Sequence, residues 1–173
     1  MPSFWRWPAG FSGGVDCSAL TAHIDVFPTL AEIARVAPER AWTTQVEGRS
    51  LLPLLQNPQA AWPDRVLVTH VGRWAQGEVA GAKHTQCSIR DRRFTLVDNS
   101  ELYDLQSDPG ESSDVIHQYP EVVARLRAAY DEWWSAVQPA LVNENVVGPK
   151  LNPFKELYWK QFGGGPGRKP ARP

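Results

Sequence analysis

The side chains with most chemistry to offer cluster between two β-rich runs of the sequence, at Thr69, His70, Arg73, Trp74, Lys83 and His84. An imidazole there could pass a proton near neutral pH, a guanidinium could clamp a sulfate or carboxylate, and an indole could cover a sugar or aryl ring. Loops held by rigid elements carry binding groups more often than core positions do. His70, Arg73, Trp74, Lys83 and His84 are therefore the candidate rim of a ligand site, with an ordinary surface loop as the plainer alternative.

Other reactive side chains point to structure instead. His23-Ile24-Asp25 could hold a cation, but Asp25 stands where a helix needs its N-cap. Asp104, Asp108, Glu111 and Asp114 do not have the alternate spacing and central glycine of a calcium loop, so a solvated turn is expected. There is no G-x-S-x-G elbow and no phosphate-cradling G-x-x-x-x-G-K-[ST] loop. Ser50, ahead of a leucine run, reads as a cap. Cys17 and Cys87 form no C-x-x-C pair, which excludes a zinc ribbon. Two buried free thiols are expected.

Several elements must position these groups. Ser3–Trp7 alternates bulky and polar residues and predicts a strand stopped by Pro8. Ile24, Val26, Phe27, Leu30, Ile33 and Ala34 recur at helical steps within Thr21–Val36. A short second helix follows Ser50. Val66–His70, Gln86–Arg90, Phe94–Val97 and Glu101–Leu105 read as strands, with Gly72–Gly81 as a loop. Asp98-Asn99-Ser100 supplies a tight turn, and such short connections mean an antiparallel sheet. Pro120–Val137 is the strongest helix, with Val123, Leu126, Tyr130, Trp133, Trp134 and Val137 on one stripe and Pro139 ending it. Val142–Pro153 looks extended, Phe154–Phe162 helical, and Gly163–Pro173 a flexible basic tail.

Composition narrows the class further. With 18 Lys plus Arg against 19 Asp plus Glu, the net charge is −1, and a nucleic-acid binder would show a basic excess. The 42% hydrophobic fraction is that of a globular chain, and no apolar run nears the ~18 residues of a membrane span. No secretory signal is visible at the start.

Four segments resemble one family. Pro2-Ser3-Phe4-Trp5-Arg6-Trp7-Pro8 is similar to the P-x-x-x-R-W-P strand of formylglycine-dependent, arylsulfatase-like sulfatases of the alkaline-phosphatase superfamily. His23–Leu30 resembles their H-I-D-[IL]-x-P-T helix, Gly48–Leu55 their G-x-S-L-L-P-L-L segment, and Glu101–Glu111 their E-L-Y-D-L-x-x-D-P-x-E stretch. The resemblance covers residues 2–137 and implies the C-terminal portion of such an enzyme. In that family an N-terminal α/β domain carries C-x-[PA]-x-R, whose Cys or Ser becomes formylglycine, and binds a divalent cation, usually Ca²⁺. The hydrated aldehyde attacks sulfur, and fixed positive charge stabilises the transition state. Cys17 is followed by Ala19 but has Thr21 where Arg is required, and Asp98-Asn99 imitates the cation-binding pair only out of order. No catalytic or metal residue is carried over.

The resemblance thus implies an α+β fold: an antiparallel sheet of about four strands covered by a C-terminal helix, preceded by a strand and two helices left over from a larger α/β sulfatase domain. The expected divisions are 1–62, that remnant; 63–138, the C-terminal subdomain; and 139–173, an arm and tail. The full enzyme would hydrolyse an aryl or carbohydrate sulfate, using Ca²⁺ and formylglycine held outside this chain. Its partners would be a sulfated small molecule or glycan and the N-terminal half, not nucleic acid or membrane. Full-length relatives are often periplasmic or secreted. Met1 stands where the family has an aliphatic residue, which suggests a reading frame begun inside a longer gene. The rival reading is a non-catalytic sugar-binding or subunit-pairing module. On either reading Phe4, Trp5, Trp7, Ile24, Phe27 and Leu30 lack their partner sheet.

Overall fold

A computed structural model of the chain describes residues 3–36, 46–75, 77–141 and 151–165. Four strands, β1 (Leu67–His70), β2 (Cys87–Arg90), β3 (Phe94–Val97) and β4 (Glu101–Asp104), form one sheet in the order β1-β2-β3-β4. Every neighbouring pair is antiparallel, with Val68 opposite Ile89, Ile89 opposite Leu96, and Leu96 opposite Leu102. This is the sheet the sequence predicts, each strand falling within a residue or two of its expected bounds.

Period-2 alternation makes the core. Cys87 and Ile89 of β2, Phe94 and Leu96 of β3 and Leu102 of β4 are buried with Val123, Leu126, Tyr130 and Trp134 of the long helix Pro120–Leu141. Two arginines of that helix tie it to the hairpin turns. Arg125 pairs with Asp91 in the β2–β3 turn, and Arg127 donates from Nε to Asn99 Oδ1 (2.5 Å) and from Nη2 to Asn99 O (2.9 Å) in the β3–β4 turn. Asp98 and Asn99 both lie at positive φ, 47° and 58°, and Ser100 N bonds to Val97 O. That is the mirror-image turn whose twist matches the strands.

The helices, in chain order, are α1 (Val26–Ile33) after a 3-10 turn at His23–Asp25, α2 (Leu52–Gln56), α3 (Val79–Ala82), α4 (Pro120–Leu141) and α5 (Pro153–Phe162). Three expectations need correcting. Ser3–Trp7 forms no strand among the described residues, because alternation makes a strand only where a second chain segment completes the ladder. The expected loop over residues 72–81 contains α3, a single turn too short for periodicity to reveal. Pro139 does not end α4, which continues to Leu141. Proline forfeits one intrahelical bond, and at the last turn that loss is local.

The α5 expectation is met, with Asn152 Oδ1 accepting from Phe154 N (2.9 Å) as its cap. Of the extended Val142–Pro153 segment and the tail, residues 142–150 and 166–173 lie outside the described residues. Cys87 is buried and free as expected, whereas Cys17 is free but exposed, since it sits on an irregular segment rather than an inward strand face.

Candidate functional site

The end of β1, the loop after it and α3 bring four of the five expected rim residues against the second half of α4. The His70 ring is engaged through both nitrogens: Gly72 N donates to Nδ1 (2.8 Å), so the proton lies on Nε2 and is donated to Ala82 O (2.9 Å). The indoles of Trp134, Trp74 and Trp133 surround that ring, with centroids 5.1, 6.3 and 6.3 Å away. Lys83 Nζ pairs with Asp131 Oδ1 of α4 (2.6 Å). The His84 ring lies 5.3 Å from that of Tyr130, with Nδ1 buried and without a hydrogen bond among the described residues. Burial chiefly, with the neighbouring Lys83 and Arg127 charges, lowers the His84 pKa despite the opposing Asp131. Arg73 stands apart, exposed on the loop. The cluster is therefore an aromatic packing centre in which His70 and Lys83 are already partnered and Trp74 packs against the core.

A second centre, on the N-terminal half, is built around Asp25. Its side chain is fully buried. Oδ1 accepts from Arg49 N (2.9 Å) and Arg65 Nη1 (2.8 Å), while Oδ2 accepts from Ala22 N (2.7 Å) and Arg65 Nη2. Burial pushes this carboxyl up, but the Arg65 guanidinium and the two amides outweigh it and hold the pKa below the ordinary range. The cap expected of Asp25 is thus replaced: its carboxylate bonds no amide of α1 and instead joins three separate segments. Thr29 completes the junction, donating from Oγ1 to Asp25 O (2.6 Å) and accepting from Leu51 N (2.8 Å). A Cβ at Gly48 would stand 2.0 Å from Ile24 O, so the segment Gly48–Leu51 approaches the 3-10 turn as only glycine permits. Ser50 is not the cap expected of it: Leu51 holds the N-cap position of α2 without a side-chain bond, and Ser50 Oγ accepts from Leu52 N (3.2 Å) one residue ahead of the cap.

Sequence reasoning missed Arg65 and Trp62. Trp62 Nε1 donates to Leu20 O (3.0 Å), and the Arg65 guanidinium lies 5.5 Å from the Trp62 ring centroid. These partners are about 40 positions apart in the chain, and no local spacing signals such pairs. Beside them opens a cleft of about 230 Å³ between the segments Asp16–Leu20 and Pro58–Arg65.

The residues present do not fit the calcium and formylglycine that the sulfatase resemblance implies. Among the described residues no three His, Cys, Asp or Glu side chains converge. The carboxylates accept N–H donors instead: Asp98 Oδ1 from Cys87 N (2.8 Å), Asp108 Oδ2 from Ser112 N (2.7 Å), and Asp114 Oδ1 from Leu102 N (2.9 Å). Asp104 is paired with Arg93, chiefly by that guanidinium's hydrogen bonds, which hold its pKa at about 2. A cation would have to displace these donors. Cys87 is closed in the core with its thiol pushed up by burial, and neither cysteine has the required arginine at the fourth following position.

Comparison with known proteins agrees with the sequence motifs. The family profile "N-sulphoglucosamine sulphohydrolase, C-terminal" matches residues 1–134. Arylsulfatase D of Homo sapiens is 27% identical over 191 aligned positions, which cover 94% of this chain and 30% of that protein. An N-acetylglucosamine-6-O-sulfatase of Bacteroides thetaiotaomicron is 27% identical over 124 positions, covering 66% of this chain and 21% of its own. The chain thus spans less than a third of the length of these relatives. A structure solved in complex with its substrate D-glucosamine-2-N,6-O-disulfate superposes with a TM-score of 0.55 at 24% identity, over 78% of this chain and 28% of that one. That likeness bears on the fold.

Proposed function

The chain belongs to the N-sulphoglucosamine sulphohydrolase C-terminal family of sulfatases, and on that premise we propose that it is the C-terminal portion of an enzyme that hydrolyses sulfate esters to an alcohol and sulfate. The observation that carries this reading is the family match along residues 1–134, which spans α1, α2, the whole sheet and most of α4. Within it, residues 1–62 act as a piece of the large α/β domain, 63–138 as the C-terminal subdomain and 139–173 as an arm. The relatives include an arylsulfatase and an N-acetylglucosamine-6-O-sulfatase, in keeping with an aryl or a carbohydrate sulfate as the ester.

The 173 residues by themselves do not hydrolyse sulfate esters. Losing one oxyanion-hole donor already costs about 10²–10³ in rate, and the sequence holds no C-x-[PA]-x-R while the described residues gather no cation site. The Asp25 junction and the sheet–α4 unit serve as the platform that a nucleophile-bearing domain completes. Val26, Phe27 and Leu30 of α1 are 40%, 51% and 52% exposed, the apolar face such a domain would cover.

The test is co-expression of the chain with an N-terminal sulfatase domain carrying C-x-[PA]-x-R. The expected result is a co-purifying pair that releases 4-nitrophenol from 4-nitrophenyl sulfate or sulfate from N-acetylglucosamine 6-sulfate, while the chain alone releases none. Hydrolysis by the chain alone, or an N-terminal domain equally active and unbound without it, overturns the reading.

A further inference from the structure

α5 takes no part in the platform formed by the Asp25 junction, the sheet and α4. It has 10 residues, none of them buried. An isolated helix shorter than roughly 12–15 residues is marginal in water, so this one needs a surface to lie on. Phe154 and Phe162 are 81% and 66% exposed, with Leu157 and Tyr158 at 63% and 60% between them. The Tyr158 and Phe162 rings meet on one side, their centroids 5.0 Å apart.

Charge indicates what that surface is. Residues 151–173 hold five Lys and Arg against one Glu, a net +4, whereas residues 1–150 hold 13 against 18, a net −5. Lys155 and Lys160 are exposed and carry no ion pair among the described residues. The chain leaves α5 along the Trp159 ring, where a Cβ at Gly165 would stand 3.3 Å from it, and Arg168, Lys169 and Arg172 follow in the sequence.

Lys155 discriminates between a lipid and a protein as the occupant. It shares its side of the helix with Tyr158, Trp159 and Phe162, which follow at three, four and seven residues. An apolar protein groove would have to bury that ammonium without a partner, which is costly. At the boundary of a bilayer its apolar stem lies among the rings while the ammonium reaches the phosphates. Aromatic residues favour the same boundary, and basic residues are drawn to an anionic leaflet. No helix among the described residues is long and apolar enough to cross a membrane, so the contact is with a surface.

We propose that α5 and the basic segment after it dock this chain on an anionic phospholipid surface. Phe154, Leu157, Tyr158 and Phe162 enter the headgroup layer, and Lys155 and Lys160 meet lipid phosphates. This replaces the expectation that no membrane is a partner, and it stands independently of the hydrolase reading.

The test is flotation of the full chain with vesicles of phosphatidylcholine and phosphatidylserine in equal parts, and with vesicles of phosphatidylcholine alone. Saturable binding to the mixed vesicles is expected, weaker by about tenfold or more on phosphatidylcholine alone and falling as salt is added. Lys155→Glu with Lys160→Glu, and separately Phe154→Ser with Phe162→Ser, should each weaken it by about tenfold or more. All four side chains are exposed, and unchanged hydrogen exchange in α4 will show that both double variants keep the fold. No flotation with mixed vesicles, equal binding to neutral ones, or unchanged binding in either double variant overturns the proposal. So does self-association through α5, seen as a dimer in sedimentation that Phe154→Ser with Phe162→Ser dissolves, with no lipid binding. Flotation reads binding and co-expression reads turnover, so either can fail without the other.

Discussion

At Asp25 four donors converge on one buried carboxylate, two from the backbone and two from Arg65. Removing one member of a buried ion pair strands the other charge, at a cost of about 3–5 kcal/mol. Asp25→Asn should therefore lower the unfolding free energy by that amount, seen as a lower urea midpoint at unchanged slope, whereas Ser50→Ala, which loses a single partly buried hydrogen bond, should cost about 1 kcal/mol. His84 sets a separate dependence on pH. Its folded pKa lies below the ordinary 6.5, so the unfolded chain takes up the proton first as pH falls. Stability from this group is complete above about pH 6.5 and is lost below it, down to the folded value. His84→Phe should flatten the stability profile between pH 7 and 5, and denaturation midpoints across that range will decide it. The Asp104–Arg93 pair acts in a lower window, its contribution present above the ordinary 3.8 and lost as pH falls toward about 2.

Among the elements, α4 is held over the sheet by burial and located by its two arginines. Arg125 reaches the turn at one end of β3, and Arg127 the turn at the other. Asn99 serves twice, as a left-handed turn residue and as the Arg127 acceptor. A non-glycine residue in that conformation costs about 1–2 kcal/mol where no local hydrogen bond helps it. Asn99→Ala should thus destabilise by about 1–2 kcal/mol, and Asn99→Gly should recover the backbone part but not the Arg127 Nε bond; thermal unfolding of both variants separates the contributions. This region was largely legible beforehand, because the short β-prone run Phe94–Val97 and the 3–4 spacing of Val123, Leu126, Tyr130 and Trp134 are local signals. The Asp25 junction was not. Its partners are 24 and 40 positions away, and the acid that looked like a helix cap was claimed by a distant guanidinium. Of the residues expected at a substrate rim, His70, Arg73, Trp74, Lys83 and His84, all but Arg73 lie against α4, and the indoles of α4 that enclose His70 come from a helix some sixty residues later.

For the molecule as a whole, burial is uneven. The sheet and α4 share one core, whereas α1 leaves Val26, Phe27 and Leu30 open and α5 does the same with Phe154, Leu157 and Phe162. Opening free energies follow buried apolar contact, so amides of α1 should exchange faster than those of α4 around Leu126. Equal protection of the two helices in a hydrogen-exchange time course would contradict this. The open α1 face also favours self-association, and Leu30→Lys should lower the light scattering of concentrated samples without altering the α4 exchange rates. The two thiols differ as sharply as the two halves. Cys17 is exposed on the wall of the cleft beside Trp62, its Sγ 3.9 Å from Pro58 O, while Cys87 is sealed beneath α4. A maleimide dye added to the folded chain would consequently attach at a single position, giving a built-in reporter on the parting of Asp16–Leu20 from Pro58.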